Sequence, residues 1–269
     1  MIGDLHLHSA HSDGRLPPQA LVDTIADAGV QIAALTDHDT TAGVAEARSR
    51  ALERGLHFVA GIEMTTYAFG RVIHILGLGV DEIHPTLHAA NRVAERVWDA
   101  NQCRWVEALA RSGVGVDIDR DFADHPIRLP VLVERLCKRG MDDGDPVRVH
   151  GAFREFFDSL PDEAYEGLPT PGAAGDIIRA AGGIAVVAHP YRLHESDLLT
   201  KLLDGADGLE AMYLPYTDAQ RDTLRELAER HGKLVSAGSD YHGYFTTDYR
   251  RPPWSVSAAL LQRLLSAPA

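Results

Sequence analysis

Apolar residues along this chain recur at two spacings that alternate. Short apolar blocks at residues 31–36, 57–65, 184–188 and 234–237 read as strands, and stretches with helical spacing separate them. A strand over 2–8 is followed by a helix over 17–28, with Leu21, Ile25 and Ala28 on one face and Gly29 as its stop. A helix over 41–54, ended by Gly55, joins the strands at 31–36 and 57–65. A turn at Gly70 leads into a strand over 72–80. Later in the chain the pattern predicts helices over 173–181, 196–203 and 217–231, a further strand over 208–213, and a terminal helix over 256–265 packed on the outside. Strand–helix–strand units of this kind predict parallel strands with helical crossovers. In such folds, active residues gather at the carboxyl ends of the strands.

Between these halves the pattern changes. A long helix over 85–112 precedes charged helical stretches at 132–139 and 149–160, and strands are hard to find there. We read 84–168 as a helical insertion that caps the site, with 1–83 and 169–269 forming the catalytic domain. Its clustered aspartates read as a solvated face.

Composition narrows the function. With 26 Lys and Arg against 39 Asp and Glu, the formal net charge is −13, which argues against a general surface for long nucleic acid. A short end or a single nucleotide is still compatible with a locally positive pocket. Two cysteines, Cys103 and Cys137, without a CxxC pair fit a reduced compartment and argue against a disulfide framework or a thiolate metal site. The start of the chain lacks the pattern of a signal peptide, and no apolar run approaches membrane-spanning length. These features predict a cytoplasmic protein without a membrane partner.

The candidate chemistry lies at the predicted strand ends. His6 and His8 share one face of the first strand, and the turn Ser12-Asp13-Gly14 brings a carboxylate close by. His38 lies in Thr36-Asp37-His38-Asp39-Thr40, Glu63 on the next strand, and His74 interrupts the one after it. His189, Asp240 and His242 follow later strands. This imidazole and carboxylate set suits manganese, iron or zinc. It holds more donors than one ion uses, so it predicts two or three divalent ions sharing carboxylates, with Glu63 and Asp240 as plausible bridges. Three ions would bring six positive charges against three from Asp13, Glu63 and Asp240, which makes the site attractive to an anion such as a phosphate ester. Clustered metals also lower the pKa of a bridging water, and the hydroxide would attack phosphorus. Asp4, Asp37 and Asp39 flank the candidate ligands, either orienting imidazoles or serving as caps and turn residues. The remaining histidines, His150 among them, lack placement at a strand end and read as surface or core.

Asp4-Leu-His-Leu-His-Ser9, Ser12-Asp-Gly14, Thr36-Asp-His-Asp-Thr40, Gly61-Ile-Glu63, His74, Ala188-His-Pro190 and Gly238-Ser-Asp-Tyr-His242 together resemble the polymerase and histidinol phosphatase (PHP) family of metal-dependent phosphoesterases. The resemblance implies an α/β fold, a distorted (β/α)7 barrel with an inserted helical cap, and a trinuclear site of catalytic metals. It would place His6, His8, Glu63 and Asp240 on one ion and Asp13, His38 and His242 on a second. Glu63, His74 and His189 would hold a third. Within the family, the chain is similar to small phosphoesterases that act on nucleoside 3′,5′-bisphosphates or on the 5′ end of short RNA. Arg128 matches a cap arginine that faces the substrate phosphate in those relatives, and Arg192 is a further phosphate candidate. The pocket departs from the family pattern at Arg128-Leu129-Pro130, where relatives have Arg-Pro-His. A cap lysine is missing from Asp162-Glu163-Ala164-Tyr165, and Tyr216 or a near neighbour stands where a histidine is common. Histidinol phosphate, a cyclic phosphate, an amide, and a non-catalytic metal-binding role stay open as alternatives.

Overall fold

A computed structural model describes residues 1–111, 129–194, 197–243 and 248–266. Seven strands form one sheet in chain order: β1 (Gly3–Asp4), β2 (Ile32–Leu35), β3 (His57–Ala68), β4 (Arg71–Leu78), β5 (Ile184–Val187), β6 (Gly208–Tyr213) and β7 (Leu234–Gly238). Every residue of β2 and of β5 is buried, as their unbroken apolar sequences require of strands covered on both faces. Helices α1 (Pro18–Asp27) and α2 (Val44–Arg54) connect the first three strands, and the latter stops at Gly55 with φ 69°. In the second half, α6 (Pro171–Ala180), α7 (Asp197–Asp204) and α8 (Asp218–Arg230) play the same part, and α9 (Ala258–Ser266) closes the described chain. Thr217 and Gln220 form a reciprocal capping box at the start of α8.

The sheet closes on itself. Leu5 N–H donates to the Ala237 carbonyl (3.0 Å), Asp240 N–H to His6 (3.0 Å) and His8 N–H to Tyr241 (3.1 Å). The result is an α/β barrel with one irregular strand. β4 pairs antiparallel with both β3 and β5, whereas the other neighbouring pairs are parallel. The reason is local: only Phe69 and Gly70 join β3 to β4, and a two-residue turn makes a hairpin and not a crossover. The first strand is shorter than its apolar pattern predicts. Regular pairing with β2 ends at Asp4, because the chain beyond it is shared between β2 and the end of β7.

The described residues between the two halves form three helices, α3 (Pro85–Arg111), α4 (Leu129–Lys138) and α5 (Pro146–Asp158), and short turns. They have an apolar cluster of their own, in which Trp105, Val106, Leu132, Leu136, Val149, Phe153 and Phe157 are buried together. Among the described residues, no helix is long and apolar enough to cross a membrane. Phe153 rests on both Trp105 and Phe157, with ring centroids 4.9 and 4.0 Å away. Phe153→Ala is expected to destabilise the protein by about 3–5 kcal/mol, read by urea denaturation followed by tryptophan fluorescence.

Candidate metal centre

All nine predicted donors meet at the carboxyl-terminal mouth of the barrel. The loop after β1 carries His6 and His8, and the loop after β2 carries His38. Glu63 sits within β3, His74 on β4, His189 just after β5, and Asp240 and His242 just after β7. Asp13 stands on a tight turn tied by the Ser12 and Gly14 N–H groups, both donating to the Ser9 carbonyl. A side chain at Gly14 would lie 2.2 Å from the His8 carbonyl oxygen, so this turn needs glycine. His189 and Asp240 adopt positive φ (29° and 55°), conformations that β-carbon sterics disfavour and that recur where side chains are aimed at a site.

Glu63 is the hub. Its Oε2 lies 3.0 Å from His6 Nε2, 3.1 Å from His8 Nε2 and 3.4 Å from His38 Nδ1. Its Oε1 lies 3.1 Å from His74 Nδ1 and 3.2 Å from His189 Nε2. Asp240 Oδ1 is 3.2 and 3.1 Å from the same nitrogens of His6 and His8. Asp13 Oδ1 lies 3.2 Å from His242 Nε2 and 3.5 Å from His8 Nδ1. Among the described residues, three groups have donor atoms close enough to share an ion: His6, His8, Glu63, Asp240; His8, Asp13, His38, His242; and His38, Glu63, His74. His189 reaches the oxygen that His74 reaches.

These residues fit divalent ions on two independent observations. Donors that share one ion through bonds of ~2.0–2.1 Å stand about 3 Å apart, the spacing seen around His6, His8, Glu63 and Asp240. In addition, both ring nitrogens of His8, Nδ1 of His38, Nε2 of His74 and Oδ1 of Asp240 are buried without a hydrogen-bond partner, an unfavourable state unless a cation meets them. The electrostatics agree. Burial works against a charged His8, yet the Asp240 and Glu63 carboxylates beside it push its pKa up to about 10. Burial opposes ionisation of Glu63 too, but His6, His38 and His74 hold its carboxyl well below the usual range. Burial dominates at His38, which falls to about 3. The cage therefore keeps its carboxylates ionised and demands positive charge at its centre.

Structure also shows what orients the donors. Glu210 is fully buried on β6, and the sequence reading assigned it no role. Its Oε1 accepts from His6 Nδ1–H (3.0 Å), which leaves the Nε2 lone pair facing the cage, and its Oε2 accepts from the His189 backbone N–H (2.8 Å). An acidic residue inside the apolar strand Gly208–Tyr213 was the available signal, since a buried charge requires a partner. Tyr213 O–H donates to Asp240 Oδ2 (2.9 Å) and leaves Oδ1 for the cage. Among the described residues, Asp4, Asp37 and Asp39 neither bond imidazoles nor cap helices. They tie loop backbone instead. Asp4 accepts from the Ser239 N–H and hydroxyl, Asp37 from those of Ser9, and Asp39 from the Thr65 N–H and the Trp98 indole.

A cavity of about 1770 Å³ opens above this centre, lined by the barrel mouth and by α3 and α5. Arg192 lines it, exposed, on the short turn Pro190–Leu193. Arg128 lies outside the described residues. His150, expected to be surface or core, faces the cavity from α5, and burial lowers its pKa to about 4. Its signal was helical spacing, because Arg154 follows four residues later and lines the same wall.

A closed α/β barrel with histidines and carboxylates gathered at its strand ends defines a candidate polynuclear metallohydrolase. Comparison with known proteins supplies the family. Residues 4–102 match the PHP domain. A phosphoribosyl 1,2-cyclic phosphate 1,2-diphosphodiesterase of Eggerthella lenta is 34% identical over 91% of this chain and 95% of its own. A 5′-3′ exoribonuclease of Haemophilus influenzae is 32% identical over 89% of each chain, and a 3′,5′-nucleoside bisphosphate phosphatase of Chromobacterium violaceum is 32% identical over 89% of this chain and 86% of its own. A solved structure from Bifidobacterium adolescentis, assigned as a metal-dependent phosphoesterase, superposes with a TM-score of 0.82 at 26% identity, covering 99% of this chain and 96% of that one. The chain belongs to the PHP-domain family, and it is a metal-dependent phosphoesterase.

Two outcomes test the centre. Stripping divalent ions with a chelator should lower Tm by about 5–10 °C relative to protein held at one hundred times the metal Kd, where binding contributes about 2.7 kcal/mol. Glu210→Gln should weaken manganese binding about 10–100-fold in a metal titration, because the His6 tautomer loses its anionic partner.

Proposed function

We propose that this phosphoesterase hydrolyses a small phosphorylated metabolite, a nucleotide, with a nucleoside 3′,5′-bisphosphate as the leading candidate. The observation that carries this reading is the placement of nine nitrogen and oxygen donors beneath a cavity of about 1770 Å³, larger than the ~300–1,000 Å³ usual for a small ligand. His6, His8, Asp13, His38, Glu63, His74, His189, Asp240 and His242 would hold two or three divalent ions, manganese by preference. Bound ions would neutralise phosphoryl oxygens and lower the pKa of water at the site. Catalysis would then depend on Asp13, His38, Glu63 and Asp240 to keep that charge in place. Glu210 and Tyr213 hold the His6 and Asp240 side chains in their orientations.

Arg192 and Arg154, both exposed on the cavity wall, are placed to meet a phosphate, and the family resemblance gives Arg128 the same task. His150, with its pKa lowered by burial, would present a neutral imidazole able to hydrogen-bond a sugar hydroxyl. In this reading the segment 84–168 is the cap, covering a site built by 1–83 and 169–269, and the enzyme works in the cytoplasm. A cyclic phosphodiester is the second reading. Tyr213 and Tyr216 form part of the wall, and the Eggerthella lenta relative is named for such a substrate.

Phosphate release by manganese-loaded enzyme should be measured across a nucleoside 3′,5′-bisphosphate, a nucleoside monophosphate, histidinol phosphate, a 1,2-cyclic ribose phosphate and a short 5′-phosphorylated RNA. The bisphosphate is expected to lead, with Asp240→Ala reducing its turnover at least a thousandfold, about 4 kcal/mol. Release confined to the cyclic compound, after ring opening, would replace the first reading with the second.

A further inference from the structure

The hairpin tip between β3 and β4 carries an expensive residue in an exposed place. Phe69 and Gly70 are the two central residues of the turn, with φ of 56° and 71° between the paired residues Ala68 and Arg71. Turns with two positive φ values favour Asn-Gly or Asp-Gly, and a bulky aromatic residue is strained there. Phe69 is nevertheless 62% exposed, so no core packing compensates that strain. Tyr67, Gly70, Arg71 and Val72 of the same hairpin line the cavity, and Tyr67 stacks on Tyr165 with centroids 4.4 Å apart. Phe69 itself stands next to this lining, and two exposed apolar side chains, Ile83 (76%) and Val147 (43%), belong to it. On this hairpin the Tyr67 hydroxyl donates to Asp162, whereas Arg71 is exposed and in no ion pair among the described residues.

From these observations we infer that Phe69 and Arg71 form a subsite at the mouth of the cavity, where Phe69 stacks on a nucleobase of the substrate and Arg71 meets an adjoining phosphate. The inference rests on the nucleotide reading of the metal centre and adds to it the residues that recognise the base. An exposed aromatic residue and an exposed arginine carried on one turn are the combination that binds unpaired nucleotides without sequence preference. The distance suits it. At ~3.4 Å per residue, the Ala68–Arg71 pair lies about 10 Å beyond the Thr65–His74 pair along the hairpin, so a phosphate at His74 leaves its base, or the next one, at the tip.

Phe69→Asn is the informative variant, because asparagine suits the turn and cannot act by unfolding the protein. Its selectivity should be compared with wild type for a 5′-phosphorylated dinucleotide over ribose 5-phosphate, with manganese-loaded enzyme. The measure is kcat/KM where the compound is turned over and Kd by calorimetry where it is not. The expected result is a higher Tm together with about a tenfold loss of selectivity for the dinucleotide, restored by Phe69→Trp. Equal selectivity in wild type and Phe69→Asn overturns the subsite. So does a wild type that neither turns over nor binds the dinucleotide. Turnover of ribose 5-phosphate in that last case leaves the phosphoesterase activity standing and removes only the nucleotide reading.

Discussion

Everything at the mouth of this barrel depends on one buried carboxylate. Glu63 has no exposed surface and five imidazoles around its two oxygens. A lone carboxylate in such a place is costly to bury, and like-charged imidazolium groups packed around it repel one another. Only a compact, multiply charged cation satisfies both needs, because it replaces protons on the rings while keeping the carboxylate ionised. The surrounding loops are built to hold that arrangement. Asp4, Asp37 and Asp39 lock backbone positions on either side of His6, His38 and Asp240, and Glu210 fixes the ring of His6 from behind.

The site was largely legible in the sequence because each donor follows or interrupts an apolar block. His6, His38, His189 and Asp240 lie where a regular strand gives way to its loop, and Glu63 and His74 are polar residues inside otherwise apolar strands. The fold was legible for the same reason, as the alternation of apolar blocks with helical stretches at 17–54 and 173–237 corresponds to the strands and helices found there. Spacing does not encode direction, however. Whether β4 runs with or against β3 depends on the length of the turn, and a two-residue connection decides it. Nor does spacing reveal which side chain supports another. Glu210 and Tyr213 act through contacts with residues far along the chain, His6 and Asp240, and those contacts exist only after closure of the barrel.

The antiparallel β4 has a geometric effect on the centre. In a uniformly parallel barrel, donors come from the ends of strands and from the loops beyond. Here His74 enters from within a strand running the opposite way, and its register opposite Thr65 sets it beside the second oxygen of Glu63. The hairpin continues past both residues to Gly70 and Arg71, so one pair of strands supplies donors at its middle and part of the cavity wall near its tip. The helical segment meets this wall through Tyr67, whose hydroxyl donates to Asp162, and meets the loop after β2 through Trp98 and Asp39. Barrel and helices are thus joined next to the donors themselves.

Closure of the barrel joins its first strand to its last: Ser239 donates to Asp4 across 235 residues, and Asp240 then faces His6. During synthesis the chain emerges from its amino end, a few residues each second. His6 and His8 are therefore made before Glu63 and long before Asp240, the last member of their group. A chain that stops short of Asp240 lacks the full group His6, His8, Glu63 and Asp240, and a ribosome that stalls early releases such a chain. Assembly of the donor group is in this way a late event in the life of the molecule, reserved for chains that have reached β7 and closed their barrel.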